Sequence, residues 1–258
     1  MKISIIIPTY NSDKYLDEAL SSIVSQSYKK YEVIIIDGGS KDRTSEIVES
    51  YNHILIDKLR FISEKDKGEP DAINKGMNMA TGDIIAYLDS DDIYEPDSFI
   101  KVIRYFKRHD VKWAYGKCRV INEKGYETRQ IVTRFKELFQ PFYNYQTLCM
   151  FDYVAQPSAF WRREVLETVG YLNIEEKLAF DYDWWLRLGK VYKAGFINDY
   201  LACWRSHKTS ETAKALTQDL REGLDLSLKY SEGKFWLRPF QYGIYGLAKL
   251  GYKRMGAL

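Results

Sequence analysis

The chain has 258 residues, which is enough for one large domain or two small ones around a full hydrophobic core. Its formal net charge of +2 comes from scattered basic and acidic side chains, so the composition gives no indication of nucleic-acid binding. The 3 cysteines are widely spaced and form no Cys-x-x-Cys pair, which argues against a zinc framework and a disulfide set. No stretch approaches the roughly 20 apolar residues of a membrane-spanning helix, and we expect a cytoplasmic protein with reduced thiols.

Short apolar runs alternate with helix-like segments in the first part of the chain. Strands are predicted at residues 3–7, 33–36, 59–63 and 84–88, and helices at 15–25, 43–50 and 71–80. Strands rich in Ile and Val that alternate with helices indicate parallel pairing, with helices on both faces of the sheet. We therefore expect residues 1–108 to form a Rossmann-like nucleotide-binding half.

This alternation ends after residue 108. Two strand-like runs flank a turn at residues 122–125, which predicts a hairpin. Strands are predicted at residues 113–120, 126–132 and 196–203, and helices at 163–169 and 181–191, while residues 135–151 are aromatic and irregular. We expect the two halves to share one compact body, with a cleft between them.

A polar cluster follows each of the four strands predicted in the first half. The clusters begin at Pro8, Asp37, Ser63 and Asp89. Because the carboxyl ends of parallel strands meet at one edge of a sheet, the clusters are expected to converge. The acidic run Asp89-Ser90-Asp91-Asp92 repels itself unless a cation or a hydrogen-bond donor compensates it. Alone it is more often a turn, but the four clusters together favour a site for a nucleoside diphosphate and a divalent cation.

Seven motifs follow one another in collinear order between residues 2 and 210. They include Pro8-Thr9-Tyr10-Asn11, Asp37-Gly38-Gly39-Ser40, Asp71-Ala72-Ile73-Asn74-Lys75-Gly76, Asp89-Ser90-Asp91-Asp92, Gln156-Pro157-Ser158, Asp181-Tyr182-Asp183-Trp184-Trp185 and Arg205-Ser206-His207. In this order they resemble the motifs of family-two inverting glycosyltransferases, which have the α/β GT-A fold. The resemblance implies one domain with a mixed central sheet over residues 1–210, in which an acceptor-binding half, residues 109–210, follows the nucleotide-sugar-binding half. A C-terminal helical extension, residues 211–258, would come after it.

The resemblance implies transfer of a sugar from a nucleoside diphosphate sugar. UDP is the most frequent nucleotide in the family, and dTDP and GDP stay open. Thr9 and Asp37 would contact the nucleotide, with Asp37 accepting a hydrogen bond from the base. Asp66 and Lys75 lie in the segment that lines the donor pocket in relatives, and Asp89 would reach the ribose or the waters of a metal ion.

Mg²⁺ or Mn²⁺ is the cofactor that the resemblance implies. Asp91 would coordinate the ion, and His207, in an Arg-x-His-x-x-Ser pattern, would join its coordination shell. Arg205 would bind the diphosphate through its planar guanidinium. Asp92 is expected to be structural. The ion would neutralise the negative charge that develops on the leaving diphosphate.

Asp181 aligns with the catalytic base of the family. An inverting transfer needs one carboxylate that removes the proton of the acceptor hydroxyl, opposite the leaving diphosphate. Asp183 is a rival, and because residues two apart in a helix do not share a face, only one of the two would point into the cleft. Phe180 stands where relatives often carry Glu. For at least one of Trp184 and Trp185 we expect core packing rather than stacking on an acceptor.

The acceptor that the resemblance implies is a growing saccharide or a lipid-linked oligosaccharide of the cell surface. Residues 229–258 mix aromatic and cationic side chains, which suits peripheral contact with the inner face of a membrane. A terminal helix packed on the domain explains the same pattern equally well. Two other function classes stay open, a sugar nucleotidyltransferase and a non-catalytic sugar-nucleotide-binding protein. The first usually has a Gly-rich basic loop, which residues 8–12 lack, and Asp181 argues against the second.

Overall fold

The computed structural model describes residues 1–207, 209–210 and 215–254, the side chains of residues 132 and 252–254 excepted. A nine-stranded sheet runs through the described part of the chain. Its strands are β1 (Ile3–Thr9), β2 (Tyr31–Asp37), β3 (Leu59–Ser63), β4 (Ile84–Tyr87), β5 (Ile93–Tyr94), β6 (Trp113–Ile121), β7 (Glu127–Thr128), β8 (Ala159–Arg162) and β9 (Gly195–Arg205). Their order across the sheet is β3-β2-β1-β4-β8-β6-β9-β5, and β7 pairs with β6.

Helices cover both faces of the sheet and extend beyond it. They are α1 (Leu16–Val24), α2 (Thr44–Ser50), α3 (Asn52–Leu55), α4 (Glu69–Met79), α5 (Ser98–Arg108), α6 (Gln130–Glu137), α7 (Tyr145–Leu148), α8 (Val165–Val169), α9 (Phe180–Val191), α10 (Leu216–Tyr230) and α11 (Arg238–Arg254). Short 3₁₀ turns are formed by Ile56–Lys58, Gln156–Ser158 and Phe235–Leu237. The strands and helices predicted in the first half are confirmed within a few residues of their ends.

The first four strands form the parallel half of the sheet. β1 pairs in parallel with β2 and with β4, and β2 pairs in parallel with β3. Successive residues of a strand face opposite sides of a sheet, so each side has its own core. Ile6 and Ile34 belong to the cluster on one side, and Ile7 and Ile35 to the cluster on the other. This double burial explains why the strands are continuous apolar runs.

The sheet becomes antiparallel where β8 enters it. β8 pairs antiparallel with both β4 and β6, and β6 then runs parallel to β9. The mixed sheet is therefore confirmed, and so is the hairpin of β6 and β7, whose turn contains Gly125 at φ +79. The strand predicted at residues 126–132 is wrong beyond Thr128. Arg129 adopts a left-handed φ of 50, which ends the strand, and α6 begins at the next residue.

The C-terminal helices are attached to the second half through buried hydrogen bonds. Nε2 of Gln241 on α11 donates to the carbonyl oxygen of Cys149 at 3.1 Å and to that of Ser227 at 3.0 Å. The other side of α11 leaves large apolar side chains exposed, among them Leu247 and Leu250. No helix among the described residues is both long and apolar enough to cross a membrane.

Candidate active site

A cavity of about 1610 Å³ opens at the carboxyl ends of β1 and β4. Its other walls come from α6, α9, α10 and α11. The predicted site residues in its wall are Thr9, Asp66, Asp89, Asp91, Asp181 and His207. Three others, Asp37, Lys75 and Arg205, are absent from the lining in the described part of the chain. All four polar clusters that follow the parallel strands contribute to the cavity wall, through Pro8, Gly38, Lys65 and Asp89.

Asp37 joins the ends of three parallel strands. Its Oδ1 accepts a hydrogen bond from Oγ1 of Thr9 at 3.1 Å, and its Oδ2 accepts one from Oγ of Ser63 at 2.6 Å. The backbone N–H groups of Gly39 and Ser40 also donate to Oδ2, at 3.2 and 3.0 Å. Burial alone would raise the pKa of Asp37, but these hydrogen bonds outweigh it and lower the pKa. Since the side chain is fully buried, its contact with a nucleotide base stays a prediction.

Gly38 gives Asp66 access to the same strand ends. A Cβ atom at position 38 would lie only 2.8 Å from Oδ2 of Asp66, so a larger residue would displace that carboxylate. Oδ1 of Asp66 accepts a hydrogen bond from the backbone N–H of Gly68 at 2.9 Å, which orients the side chain. The Asp66 carboxylate therefore takes the space beside the end of β2, in the cavity wall.

Lys75 lies on the outer side of α4. Its Nζ is 2.8 Å from Oε1 of Glu64 and 3.6 Å from Oδ2 of Asp71. These two carboxylates hold the ammonium away from the cavity. The predicted contact of Lys75 with the donor therefore needs a different side-chain arrangement and stays a prediction.

The two predicted metal ligands meet in the structure. Nε2 of His207 lies 2.6 Å from Oδ2 of Asp91, and Nδ1 of His207 lies 2.9 Å from Oγ1 of Thr209. The imidazole is only 8% exposed and packs against the ring of Tyr15. A carboxylate oxygen and an imidazole nitrogen thus converge on one point of the cavity wall.

Glu69, the first residue of α4, joins this acidic region. Burial, followed by the charges of Glu69 and Asp91, raises the pKa of Asp89 well above its usual value. Burial likewise raises the pKa of Glu69 to about 7. Oδ1 of Asp89 is buried and has no hydrogen-bond partner in the described part of the chain. Glu69 was not among the predicted site residues. It directly follows the polar cluster that ends at Gly68, and this position in the sequence could have indicated it.

The residues present fit a hard divalent cation. Mutually destabilising carboxylates, the unpartnered oxygen of Asp89 and the pair of Asp91 with His207 are suitable donors for Mg²⁺ or Mn²⁺. Among the described residues, no three His, Cys, Asp or Glu side chains are already gathered around a common point. An ion here would therefore need phosphate oxygens and water to complete its coordination.

Asp181 and Asp183 point to different environments. Asp181 is the second residue of α9 and lines the cavity. Asp183 is 1% exposed, and its two oxygens accept hydrogen bonds from Nε of Arg187 and from the hydroxyl of Tyr230, both at 2.7 Å. Of the two rivals, Asp181 is therefore the one that lines the cavity.

A second acidic group surrounds Asp181. Burial raises the pKa of Asp181 well above its usual value, and the charges of Asp152 and Asp219 raise it further. Burial also raises the pKa of Asp219 to about 6. Lys136 opposes these shifts, since its charge lowers the pKa of each of the three carboxyls. The sequence analysis missed Asp152, Asp219 and Lys136, because no local pattern relates these distant positions.

Trp184 and Trp185 are core residues. Both are fully buried. The ring of Trp185 stacks on that of Trp113, with the ring centroids 5.8 Å apart and the planes 3° apart. The expected core packing is confirmed, and it anchors α9 about one turn after Asp181.

Comparison with known proteins identifies relatives of the chain. The family model described as glycosyl transferase family 2 matches residues 4–170. An uncharacterized glycosyltransferase of Nostoc sp. is 30% identical over 171 residues, which cover 66% of this chain and 53% of that protein. The chain thus spans about half the length of this relative.

Solved structures share the fold at low sequence identity. S. aureus TarS 1-349 has a TM-score of 0.69 at 20% identity, covering 93% of this chain and 69% of that chain, and the same protein has been solved in complex with UDP-GlcNAc. The mannosyltransferase PcManGT from Pyrobaculum calidifontis, in complex with GDP-Man and Mn²⁺, has a TM-score of 0.68 at 18% identity, covering 96% of this chain and 75% of that chain. The chain has the GT-A fold of these neighbours.

Proposed function

The chain belongs to glycosyl transferase family 2, and on this premise we propose that it moves a sugar from a nucleoside diphosphate donor to an acceptor hydroxyl, with inversion at the anomeric carbon. The observation that carries the proposal is one cavity whose wall contains Asp91, His207 and Asp181. The first two suit the leaving diphosphate and its cation, and the third suits the proton of the acceptor. A donor and an acceptor bound together in this cavity would have a group for each half of the reaction.

We propose a UDP-sugar as the donor. Thr9, Asp66 and Asp89 would bind the nucleotide part, since all three line the cavity at the strand ends. The complex of TarS with UDP-GlcNAc supports this choice, whereas the complex of PcManGT with GDP-Man keeps GDP as the competing nucleotide.

Mg²⁺ or Mn²⁺ is the proposed cofactor, held by Asp91 and His207. The cation supplies charge neutralisation to the diphosphate when it is bound. Asp91 and His207 would also orient the diphosphate, and Asp89 would face the ribose of the nucleotide or the waters of the cation. The Mn²⁺ in the PcManGT complex supports the choice of metal.

Asp181 is the proposed catalytic base. The acceptor oxygen forms its bond to the anomeric carbon while the bond from that carbon to the diphosphate oxygen breaks, and the acceptor proton passes to the Asp181 carboxylate. A base with a raised pKa holds this proton more strongly. The positive charge of Lys136 limits how far the pKa of Asp181 is raised. The buried first turn of α9 restricts the movement of Asp181, which favours a defined direction of attack.

The proposed acceptor is a saccharide or a lipid-linked oligosaccharide of the cell surface. Ile131 on α6 and Leu247 on α11 both line the cavity, yet they are 86% and 70% exposed. Exposed apolar side chains at a cavity wall support an acceptor with a hydrocarbon part. With the exposed face of α11 they also support peripheral membrane contact through residues 229–258, of which residues 255–258 lie outside the described residues.

A thermal-shift screen tests the donor proposal. UDP, GDP and dTDP are added with Mn²⁺ or with EDTA, and a ligand that binds only the folded protein raises the melting temperature. We expect the largest rise with UDP, and a larger rise with Mn²⁺ than with EDTA. The anomeric configuration of a product formed from the matching sugar nucleotide is then read by NMR. No shift with any nucleotide, or a product of retained configuration, would contradict the proposal.

A further inference from the structure

Arg205 has no exposed side-chain surface and lies behind the loop that carries Asp91. A buried guanidinium is costly in free energy unless hydrogen-bond acceptors surround it. The acceptors around Arg205 therefore indicate the role of its side chain. These partners come from three separate parts of the chain, namely α1, the loop after β4 and the turn after β6. None of these three contacts uses a side chain of the cavity wall, because Asp91 takes part only through its backbone carbonyl.

Residue 205 fixes the acidic loop through both its side chain and its backbone. Nε donates to the carbonyl oxygen of Asp91 at 2.8 Å. Nη2 donates to Oε2 of Glu18 at 2.6 Å, and Nη1 approaches the carbonyl oxygen of Asn122 at 3.4 Å. The backbone N–H of Arg205 donates to Oδ1 of Asp92 at 2.7 Å. The peptide of Asp91 and the neighbouring carboxylate are therefore both held by one residue of β9.

Tyr15 connects Arg205 with His207. The guanidinium carbon lies 4.6 Å from the centroid of the Tyr15 ring. The imidazole of His207 packs against the same ring, with the centroids 5.1 Å apart. The phenol ring of Tyr15 thus contacts the guanidinium of Arg205 and the imidazole of His207. Arg205 contacts the Asp91 peptide directly and His207 through a single ring.

We propose that Arg205 is a positioning residue that sets the spacing of Asp91 and His207 for a divalent cation, and that it is not a ligand of the diphosphate. The inference rests on the proposed function, because that function assigns the metal to these two residues. Through these contacts Arg205 would keep His207 next to Asp91, whose Oδ2 now lies within hydrogen-bond distance, 2.6 Å, of His207 Nε2. A protein in which Asp91 and His207 are no longer held next to each other would still bind a nucleotide but would bind the cation weakly.

The guanidinium suits this task better than an ammonium. Its planar fork directs Nε and Nη2 to acceptors on different elements while its face packs on Tyr15. A lysine has a single nitrogen and no flat face. Arg205→Lys therefore keeps the positive charge and removes the positioning contacts, which separates the two effects.

The first test compares metal and nucleotide binding by Arg205→Lys in the full chain. Mn²⁺ affinity, measured by EPR of free Mn²⁺ in the presence of UDP, should fall by about 10- to 100-fold, as for other groups that orient metal ligands. UDP affinity in EDTA should be unchanged. Arg162→Lys is the matched control, since Arg162 donates to the carbonyl oxygens of Val111 and Phe106 at 2.9 and 3.0 Å and is outside the cavity wall.

The second test needs no ligand. The chain has 3 histidines, so their imidazole nitrogen signals can be separated by NMR and that of His207 assigned with His207→Asn. In Arg205→Lys the His207 signals should move toward those of the exposed His53, whose own signals should stay in place. In Arg162→Lys the His207 signals should not move.

Two results would overturn the inference. Equal weakening of UDP binding with and without Mn²⁺ would indicate a direct phosphate contact, and unchanged Mn²⁺ affinity with unchanged His207 signals would remove the positioning role. If Arg205→Lys does not fold, Tyr15→Leu takes its place, since it removes the ring between Arg205 and His207, and unchanged His207 signals there also overturn the inference. Wild-type protein that binds no nucleotide with Mn²⁺ would contradict the proposed function instead, while the His207 signals would still test Arg205.

Discussion

Nε2 of His207 lies 2.6 Å from Oδ2 of Asp91, although 116 positions separate the two residues in the chain. The contact joins the loop after β4 to the segment after β9. Because β8 and β6 stand between those strands in the sheet, the contact forms only when the mixed half is assembled on the parallel half. The proposed metal site therefore depends on both halves of the fold.

Asp91→Asn should weaken nucleotide binding in the presence of Mn²⁺ by about tenfold or more, because a neutral amide is a poorer ligand for a hard cation. Isothermal titration with UDP, with Mn²⁺ and with EDTA, measures the effect. Asp83→Asn is the control, since this carboxylate is 58% exposed at the opposite end of β4. Equal loss of affinity in EDTA would count against a metal ligand at Asp91.

Asp181→Asn should lower kcat by about 10²- to 10⁴-fold, the contribution typical of a positioned general base, while nucleotide affinity is kept. Asp183→Asn is the matched variant on the same helix. It breaks a buried pair with Arg187, so it should lower the melting temperature and leave more activity in the folded fraction. Full activity of Asp181→Asn would remove this residue from the chemistry.

The pH dependence of the rate should respond in opposite directions to two changes near Asp181. The proposed base works as a carboxylate, so the rate rises with pH through the pKa of Asp181. Asp219→Asn removes a negative neighbour, lowers this pKa and should shift the acid limb of kcat to lower pH. Lys136→Gln removes the opposing positive charge and should shift the limb to higher pH. Shifts of both variants in the same direction would contradict the assignment.

Glu32 should make folding stability depend on pH far from the active site. Burial alone would raise the pKa of Glu32, but hydrogen bonds from Lys2 and Ser4 outweigh it and lower the pKa from 4.5 to about 2. A lowered pKa stabilises the fold above about pH 4.5, and this contribution is lost as the pH falls toward 2. Glu32→Gln should therefore cost about 3 kcal/mol in urea unfolding at pH 7 and progressively less in acid.

The control for Glu32 is Glu164→Gln. Glu164 pairs with Lys112 at 2.9 Å and lies 4.0 Å from Nε of Arg162, and its side chain is 53% exposed. Removal of such an exposed carboxylate should cost less than about 1 kcal/mol at any pH. A Glu32 variant that is as stable as wild type at pH 7 would show that the buried contacts of this residue do not stabilise the fold.

Replacement of Leu247 and Leu250 by Ser should reduce sedimentation with anionic vesicles, because both side chains are exposed on α11. Ile54→Ser is the control, since Ile54 is also exposed but lies on α3. If the double variant and wild type sediment equally, the proposed membrane contact of the C-terminal helices is wrong.

The sequence predicted the donor side of the site better than the acceptor side. Thr9 and Asp37 end strands, and Asp89 follows one two residues after its end. The apolar runs of these strands are a local signal, and parallel pairing brings their ends together. Asp152 and Asp219 reach Asp181 only through long-range packing, for which the sequence has no local pattern. Arg205 shows a different limit. Its motif was recognised, but only the structure shows that the guanidinium lies behind the acidic loop.

The cavity is completed only by elements that are synthesised late. Thr9 and Asp219 line the same space, although one belongs to β1 and the other to α10. A nascent chain that has completed the parallel strands still lacks His207, Arg205 and the wall formed by the late helices. Such a chain has no enclosed space in which donor and acceptor can meet. We therefore expect incomplete chains, and fragments that end before α10, to lack the proposed transferase activity.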